Sequence, residues 1–261
     1  MKKIIFALFS FIVLNLLFVV NNCLSQWVQT NGPYGNGTIR CFAVSGNNVF
    51  GGSAAFGVFL STNNGDTWKQ TSMNNKYVLS LFASGTIIYA GTSGGPYFTS
   101  NNGQDWINIG NELTGMNIYG FALLGTNLFT GTDNGVYVST NNGNSWSSKG
   151  LTNKFITSIV TNGTNIFAGT SDEGHQDSGV YISTNNGMNW TPAGLTHINI
   201  RTLVSTGNKV LAAGLNNYPN NSNIYVTTNN GGSWSVLGVQ DSYLYSVGVS
   251  GNTWFMATNT P

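Results

Sequence analysis

Beyond residue 26 the chain alternates between short apolar runs and polar, glycine-rich gaps. One stretch shows the pattern clearly. Phe155-Ile156-Thr157-Ser158-Ile159-Val160 leads into Asn162-Gly163-Thr164-Asn165, and then comes Ile166-Phe167-Ala168-Gly169-Thr170. A variable gap follows, then Gly179-Val180-Tyr181-Ile182-Ser183-Thr184, Asn185-Asn186-Gly187 and a last run opening at Trp190. Short runs of β-branched and aromatic residues, bounded by Gly, Asn and Ser, predict strands. The Asn-Gly pairs suit tight hairpins, whose twist needs the positive φ angles that these residues tolerate. No helical spacing of apolar residues is sustained over a useful length.

The same phrase recurs. STNNGDTW (61–68), TSNNGQDW (99–106), STNNGNSW (139–146), STNNGMNW (183–190) and TTNNGGSW (227–234) close on Trp68, Trp106, Trp146, Trp190 and Trp234, which are 38, 40, 44 and 44 residues apart. Four short antiparallel strands in a unit of about 40 residues make one blade of a β-propeller. The expected class is therefore all-β, a propeller of four-stranded antiparallel blades.

The units can be counted. Full blades should end near residues 70, 108, 148, 193 and 237, and a sixth should start at Ser242. Trp27 precedes Trp68 by 41 residues, in register with the box tryptophans, and is expected to open an outermost strand. Gly251-Asn252-Thr253-Trp254-Phe255 matches Gly46-Asn47-Asn48-Val49-Phe50, which makes Trp254 a second-strand residue. Five complete blades and an incomplete sixth are expected, from a parent ring of six or seven, with the C-terminus truncated. A ring whose sixth blade has three strands is the alternative.

The eight-residue phrase resembles the Asp-box, the bacterial neuraminidase (BNR) repeat Ser-x-Asp-x-Gly-x-x-Trp, which joins the third and fourth strands of a blade in that family. The family's Asp is replaced each time, by Asn63, Asn101, Asn141, Asn185 and Asn229. A short side-chain oxygen there can accept backbone N–H bonds whether it belongs to an amide or a carboxylate. Gly65, Gly103, Gly143, Gly187 and Gly231 are expected to supply the unusual backbone angle, and the tryptophans to wedge between strands. The boxes thus read as structural. Asn-rich turns without clustered carboxylates make poor calcium sites, so no metal is expected, and no cofactor motif is present.

Composition sets the compartment. Lys2 and Lys3 precede an apolar run, Ile4–Val20, and then a polar exit around Ser25, the form of an export signal over residues 1–25. The alternatives are a retained membrane anchor and lipid attachment at Cys23. The propeller domain would occupy 26–261, in a secreted or bacterial-envelope protein. Beyond residue 25 the only cysteine is Cys41, so no internal disulfide can form. Charged residues make up 7% of the chain and the net charge is +1, without the basic stripe of a nucleic-acid binder.

Strand order sorts the loops onto two faces. The boxes share one face with the first-to-second turns. The other face carries the loops of variable length, Gly51–Gly57, Thr92–Gly95, Thr132–Gly135, Thr170–Gly179 and Gly214–Asn223, and binding usually resides on such loops. Asp66 and Asp105 lie in boxes; Glu112, Asp133, Asp172, Glu173, Asp177 and Asp241 fall on the variable face. His175 lies among them, Arg40 and Arg201 share one register of the innermost strand, and Tyr34, Tyr218 and Tyr243 are candidate exposed aromatics.

Sialidases with such boxes use an arginine triad, and this chain has two arginines in total. Glycan hydrolysis by paired carboxylates would draw on Asp133 with Asp172, Glu173 or Asp177, at the separation inversion needs, about 6.5–9.5 Å. The related xyloglucan-degrading enzymes build their cleft between two propellers. The chain is also similar to photosystem-assembly-factor-like secreted propellers. That likeness implies a non-catalytic protein that binds a protein or carbohydrate. A monomer is expected, and the residues of the variable face give Arg40, Arg201, His175, Tyr218 and Tyr243 as binding candidates.

Overall fold

The computed structural model describes residues 32–33, 38–172, 177–216, 222–240, 244–250 and 253–258. The leader, Cys23, Trp27, Tyr34, Glu173, His175, Tyr218, Asp241 and Tyr243 lie outside the described residues.

The β-branched runs form strands, and consecutive strands pair antiparallel. Blade 1 comprises Ile39–Ser45, Asn48–Ser53, Gly57–Ser61 and Lys69–Gln70; blade 2 comprises Val78–Ser84, Ile87–Thr92, Gly95–Thr99 and Ile107–Asn108. Blade 3 is Ile118–Leu124, Asn127–Thr132, Gly135–Ser139 and Ser147–Ser148, and blade 4 is Phe155–Thr161, Ile166–Ser171, Gly179–Ser183 and Thr191–Pro192. Blade 5 is Ile198–Thr206, Lys209–Asn216, Ser222–Thr227 and Ser235–Gln240. A sixth sheet holds two described strands, Leu244–Ser250 and Thr253–Thr258, with Trp254 in the second. Each four-stranded sheet is a meander in chain order. The described helical structure is one 3₁₀ turn, Asn111–Leu113. Pro192 lacks an N–H and sits on an outermost strand, where a missing donor costs no ladder bond.

First strands of successive blades lie side by side, and the core is divided among the seams between them. Phe50, Val58 and Met73 of blade 1 bury against Val78, Ile88 and Ala90 of blade 2. Ala122, Phe129 and Val136 of blade 3 meet Ile156, Ile159 and Ile166 of blade 4, and Phe167 and Val180 of blade 4 meet Ile200 and Leu203 of blade 5. The seams are close because the second strand presents a glycine to the next blade. A Cβ on Gly131 would lie 2.6 Å from Ile156 Cγ2, and one on Gly169 would lie 2.5 Å from Ile200 Cγ2.

Each box is closed by its own polar side chains. In blade 3 the buried Ser139 hydroxyl accepts the Gly143 N–H at 2.7 Å and donates to Asn141 Oδ1 at 2.8 Å, while Asn141 Oδ1 accepts the Ser145 N–H at 2.9 Å. Asn63, Asn101, Asn185 and Asn229 accept the corresponding N–H of Thr67, Asp105, Asn189 and Ser233 at 2.9–3.0 Å. The turn places Asn142 at φ 58° and Gly143 at φ 92°. The asparagine amide also donates, to Ser145 Oγ in blade 3 and to Asp105 Oδ2 in blade 2, both at 2.9 Å. A carboxylate could not make that second bond.

The box tryptophans reach beyond their own blades. The Nε1–H of Trp106 donates to Thr71 Oγ1, that of Trp146 to the Ile109 carbonyl, that of Trp190 to the Lys149 carbonyl and that of Trp234 to the Ala193 carbonyl, at 2.6–3.2 Å. Each acceptor belongs to the preceding blade, three residues past that blade's own box tryptophan. Trp68 instead donates to Gly65 of its own box. The wedge expected between strands is thus, for four of the five, a latch between blades.

Candidate functional site

Two hydrogen bonds fix the faces. Asn48, at the first turn of blade 1, donates to Asn102 in the box of blade 2 at 3.0 Å, and Asn162, at the first turn of blade 4, donates to Asn230 in the box of blade 5 at 2.7 Å. First turns and boxes therefore share a side, and the second-to-third loops lie at the opposite strand ends.

On that opposite side, a cavity of about 620 Å³ opens over blade 4 between its neighbours. Its lining comprises Asp133 from blade 3, Lys154 and Phe155 from the entry to blade 4, Asp172 and Asp177 from the blade 4 loop, and Asn199 from blade 5. Asp133, Asp172 and Asp177, separated by up to 44 residues in the chain, are thus brought to one cavity. Glu173 and His175 belong to the same loop but lie outside the described residues.

The carboxylates differ in their partners. Asp133 Oδ2 accepts the Asn117 side-chain amide at 2.8 Å and its backbone N–H at 3.4 Å. Asp177 pairs with Lys154 Nζ at 3.4 Å. The Asp172 backbone N–H donates to Asn199 Oδ1 at 2.9 Å. Lys154 also lies 5.2 Å from the centre of the Tyr181 ring. Burial pulls the lysine ammonium down, but the Tyr181 hydrogen bond and the negative charge of Asp177 outweigh it, and the net direction is upward.

Beside the cavity runs a band of aromatic and cationic side chains. The first strand of every blade carries a one-residue bulge, at Arg40, Leu79, Tyr119, Thr157 and Arg201 in blades 1 to 5 and at residue 245 in the sixth sheet. An extra residue in one strand re-aims its side chain. Arg40 donates to the Tyr77 hydroxyl and lies 5.4 Å from the centre of that ring. Tyr119 meets Phe155 edge to face at 4.6 Å. Burial pushes the Tyr119 phenol up, as do the charges of Asp133 and Tyr77, while Arg40 opposes them. Tyr119 therefore sits within electrostatic reach of both Asp133 and Arg40. Arg201 is exposed at the same bulge of blade 5.

Sequence reasoning placed Arg40 and Arg201 in one register but did not extend that register to Tyr119. It also missed Tyr77, Lys154, Phe155 and Asn199. The available signal was the position two residues before each bulge, which reads Tyr77, Asn117, Phe155 and Asn199 in blades 2 to 5. The exposed aromatics expected at Tyr34, Tyr218 and Tyr243 lie outside the described residues. Cys41 stands apart from this surface as a free thiol, pushed up to about 12 by desolvation against the opposing effects of a Gly52 backbone hydrogen bond and the Arg40 charge.

The blades and their seams define a β-propeller. No family model and no curated protein matches the chain. Among solved structures it is similar to the extracellular domain of a hybrid two-component system from B. thetaiotaomicron (TM-score 0.71, 16% identity, 89% of this chain and 33% of that one). It is similar too to YCF48 bound to D1 peptide (TM-score 0.66, 13% identity, 88% of this chain and 78% of that one). A third likeness is to an ancestral GH74 enzyme (TM-score 0.64, 23% identity, 79% of this chain and 32% of that one). The chain spans about a third of the GH74 and two-component structures. These likenesses show the fold, and they include both glycoside hydrolases and a peptide-bound propeller. Among the described residues no helix is long and apolar enough to cross a membrane.

Proposed function

We propose that this chain is an exported, monomeric, non-catalytic propeller that binds a protein or a glycan through its variable face, with the Asn-boxes as structural turns on the other. The observation that carries the reading is the cavity over blade 4, whose lining sets Phe155 among polar side chains, with Asp133 held by Asn117 and Asp177 by Lys154. Asp133 and Asp177 are both engaged by donors of the chain itself, which supports a fixed polar rim around Phe155. An apolar ring among a few placed polar groups suits a sugar face or a peptide backbone. Arg40 and Arg201 are proposed to extend the same surface, and His175, Tyr218 and Tyr243 stay binding candidates on the sequence alone. The reading requires no metal, cofactor or nucleic acid.

A second reading, glycoside hydrolysis, is favoured by one observation: Asp133, Asp172 and Asp177 line a single cavity. The GH74 likeness in fold is compatible with it. One experiment separates the two. The protein is screened against immobilised glycans and peptides, and in parallel incubated with xyloglucan oligosaccharides whose products are followed by chromatography. Binding without cleavage is expected, and Phe155→Ala should weaken it about tenfold, the loss of one aromatic anchor. Cleavage abolished by Asp133→Asn or Asp172→Asn would overturn the non-catalytic reading.

A further inference from the structure

Asparagine followed by glycine is the dipeptide most open to spontaneous deamidation, because glycine leaves its own amide nitrogen unhindered. That nitrogen loses its proton and attacks the asparagine side-chain carbonyl carbon. Ammonia leaves as a five-membered succinimide closes, and water then opens the ring to aspartate or isoaspartate. The chain has nine Asn-Gly pairs, and seven lie wholly within the described residues.

In six of the seven the attacking nitrogen is engaged. Gly65, Gly103, Gly143, Gly187 and Gly231 each donate their N–H to the Ser or Thr hydroxyl that opens their box, at 2.7–3.0 Å. Gly135 donates to the Lys154 carbonyl at 2.9 Å. The seventh pair is Asn162-Gly163, in the first turn of blade 4. Gly163 is exposed, a Cβ there would meet nothing within 4 Å, and its N–H has no hydrogen-bond partner among the described residues. The carbonyl it would attack is polarised, since Asn162 Oδ1 accepts the Asn165 N–H at 3.2 Å. A donor aimed at that oxygen stabilises the charge it gains as the ring closes.

We propose that Asn162 is the site at which the folded propeller deamidates, and that the reaction cuts the Asn162–Asn230 tie between blades 4 and 5. Asn162 Nδ2 is the donor of that 2.7 Å bond to Asn230 Oδ1. Deamidation removes this nitrogen as ammonia and leaves a carboxylate facing an acceptor oxygen. The box hydroxyls have a second role on this account: they protect the asparagines beside them from the same reaction.

The test is a time course of the intact folded protein in warm, mildly alkaline buffer, with peptide mapping of the one-dalton gain at each site. Asn162 should convert about tenfold faster than Asn64, Asn102, Asn134, Asn142, Asn186 and Asn230, the factor set by one hydrogen bond on the attacking nitrogen. In urea the seven rates should converge. Ser139→Ala should bring Asn142 up to the rate of Asn162 without changing Asn162. Should that variant fail to fold, amide hydrogen exchange on the unmodified protein serves instead, with Gly163 exchanging faster than the six engaged glycines. Equal rates in the folded protein, or a ranking that survives in urea, would overturn the proposal.

Discussion

A single amide distinguishes these turns from the Asp-box they resemble. Asn101 both accepts the Asp105 N–H and donates to the Asp105 carboxylate, so an aspartate at this position would face a like charge. Asn101→Asp should therefore cost about 1 kcal/mol or slightly more, while Asn141→Asp, opposite the neutral Ser145, should cost less than about 0.5 kcal/mol. Urea denaturation measures both. Cys41 gives a second residue-scale expectation. With its thiol raised to about 12 it stays protonated at neutral pH, and the thiolate is the reactive form. With residues 1–25 removed, and Cys23 with them, the folded protein should consume almost no thiol reagent on the timescale in which the urea-unfolded chain reacts fully.

Among the elements, the seams carry the tightest constraints. Gly131 and Gly169 face Ile156 and Ile200 of the next blade at distances that leave no space for a methyl group. Overpacking of this kind costs about 1–3 kcal/mol, so Gly131→Ala and Gly169→Ala should each lower the thermal midpoint clearly. Gly120→Ala, whose added carbon would lie 3.5 Å from its nearest neighbour, should perturb stability far less. The blade 4 loop depends on charge. Lys154 is raised in the folded state, so its contribution through Tyr181 and Asp177 is fully present below the lysine's unfolded pKa and is lost as pH rises through the folded one. Stability should fall less on going to strongly alkaline pH in Lys154→Met than in the parent, with both compared by denaturation across that range.

The elements and their order were legible in the sequence because each depends on neighbours in the chain. The boxes announce their hairpins, and the blade ends expected near 70, 108 and 148 coincide with strands closing at Gln70, Asn108 and Ser148. The site was legible only in part. Asp133, Asp172 and Asp177 were assigned to one face by strand order alone. Lys154, Phe155 and Asn199 join them only through the packing of blade 4 between blades 3 and 5, which no local pattern encodes. Tyr119 escaped notice because a bulge, not the alternation of a strand, directs it.

At the scale of the molecule, each described core cluster is shared by two adjacent blades, so no blade contains a complete core of its own. Damage at one seam should be felt on both sides. Gly169→Ala is expected to speed amide exchange in blades 4 and 5 together, rather than in blade 4 alone.

The tryptophan latches have a direction. Trp106, Trp146, Trp190 and Trp234 each reach back to a blade nearer the N-terminus, so in a chain that emerges N-terminus first the acceptor is already there when the indole arrives. Emergence of the chain and closure of the seams then proceed in the same order, and a chain halted after the second or any later box can secure the blade it has just finished. Domains folding in the order of synthesis expose less unpaired apolar surface to aggregation. A circular permutant that moved blade 1 to the C-terminus would make Trp106 wait for its acceptor until the last of the chain had emerged.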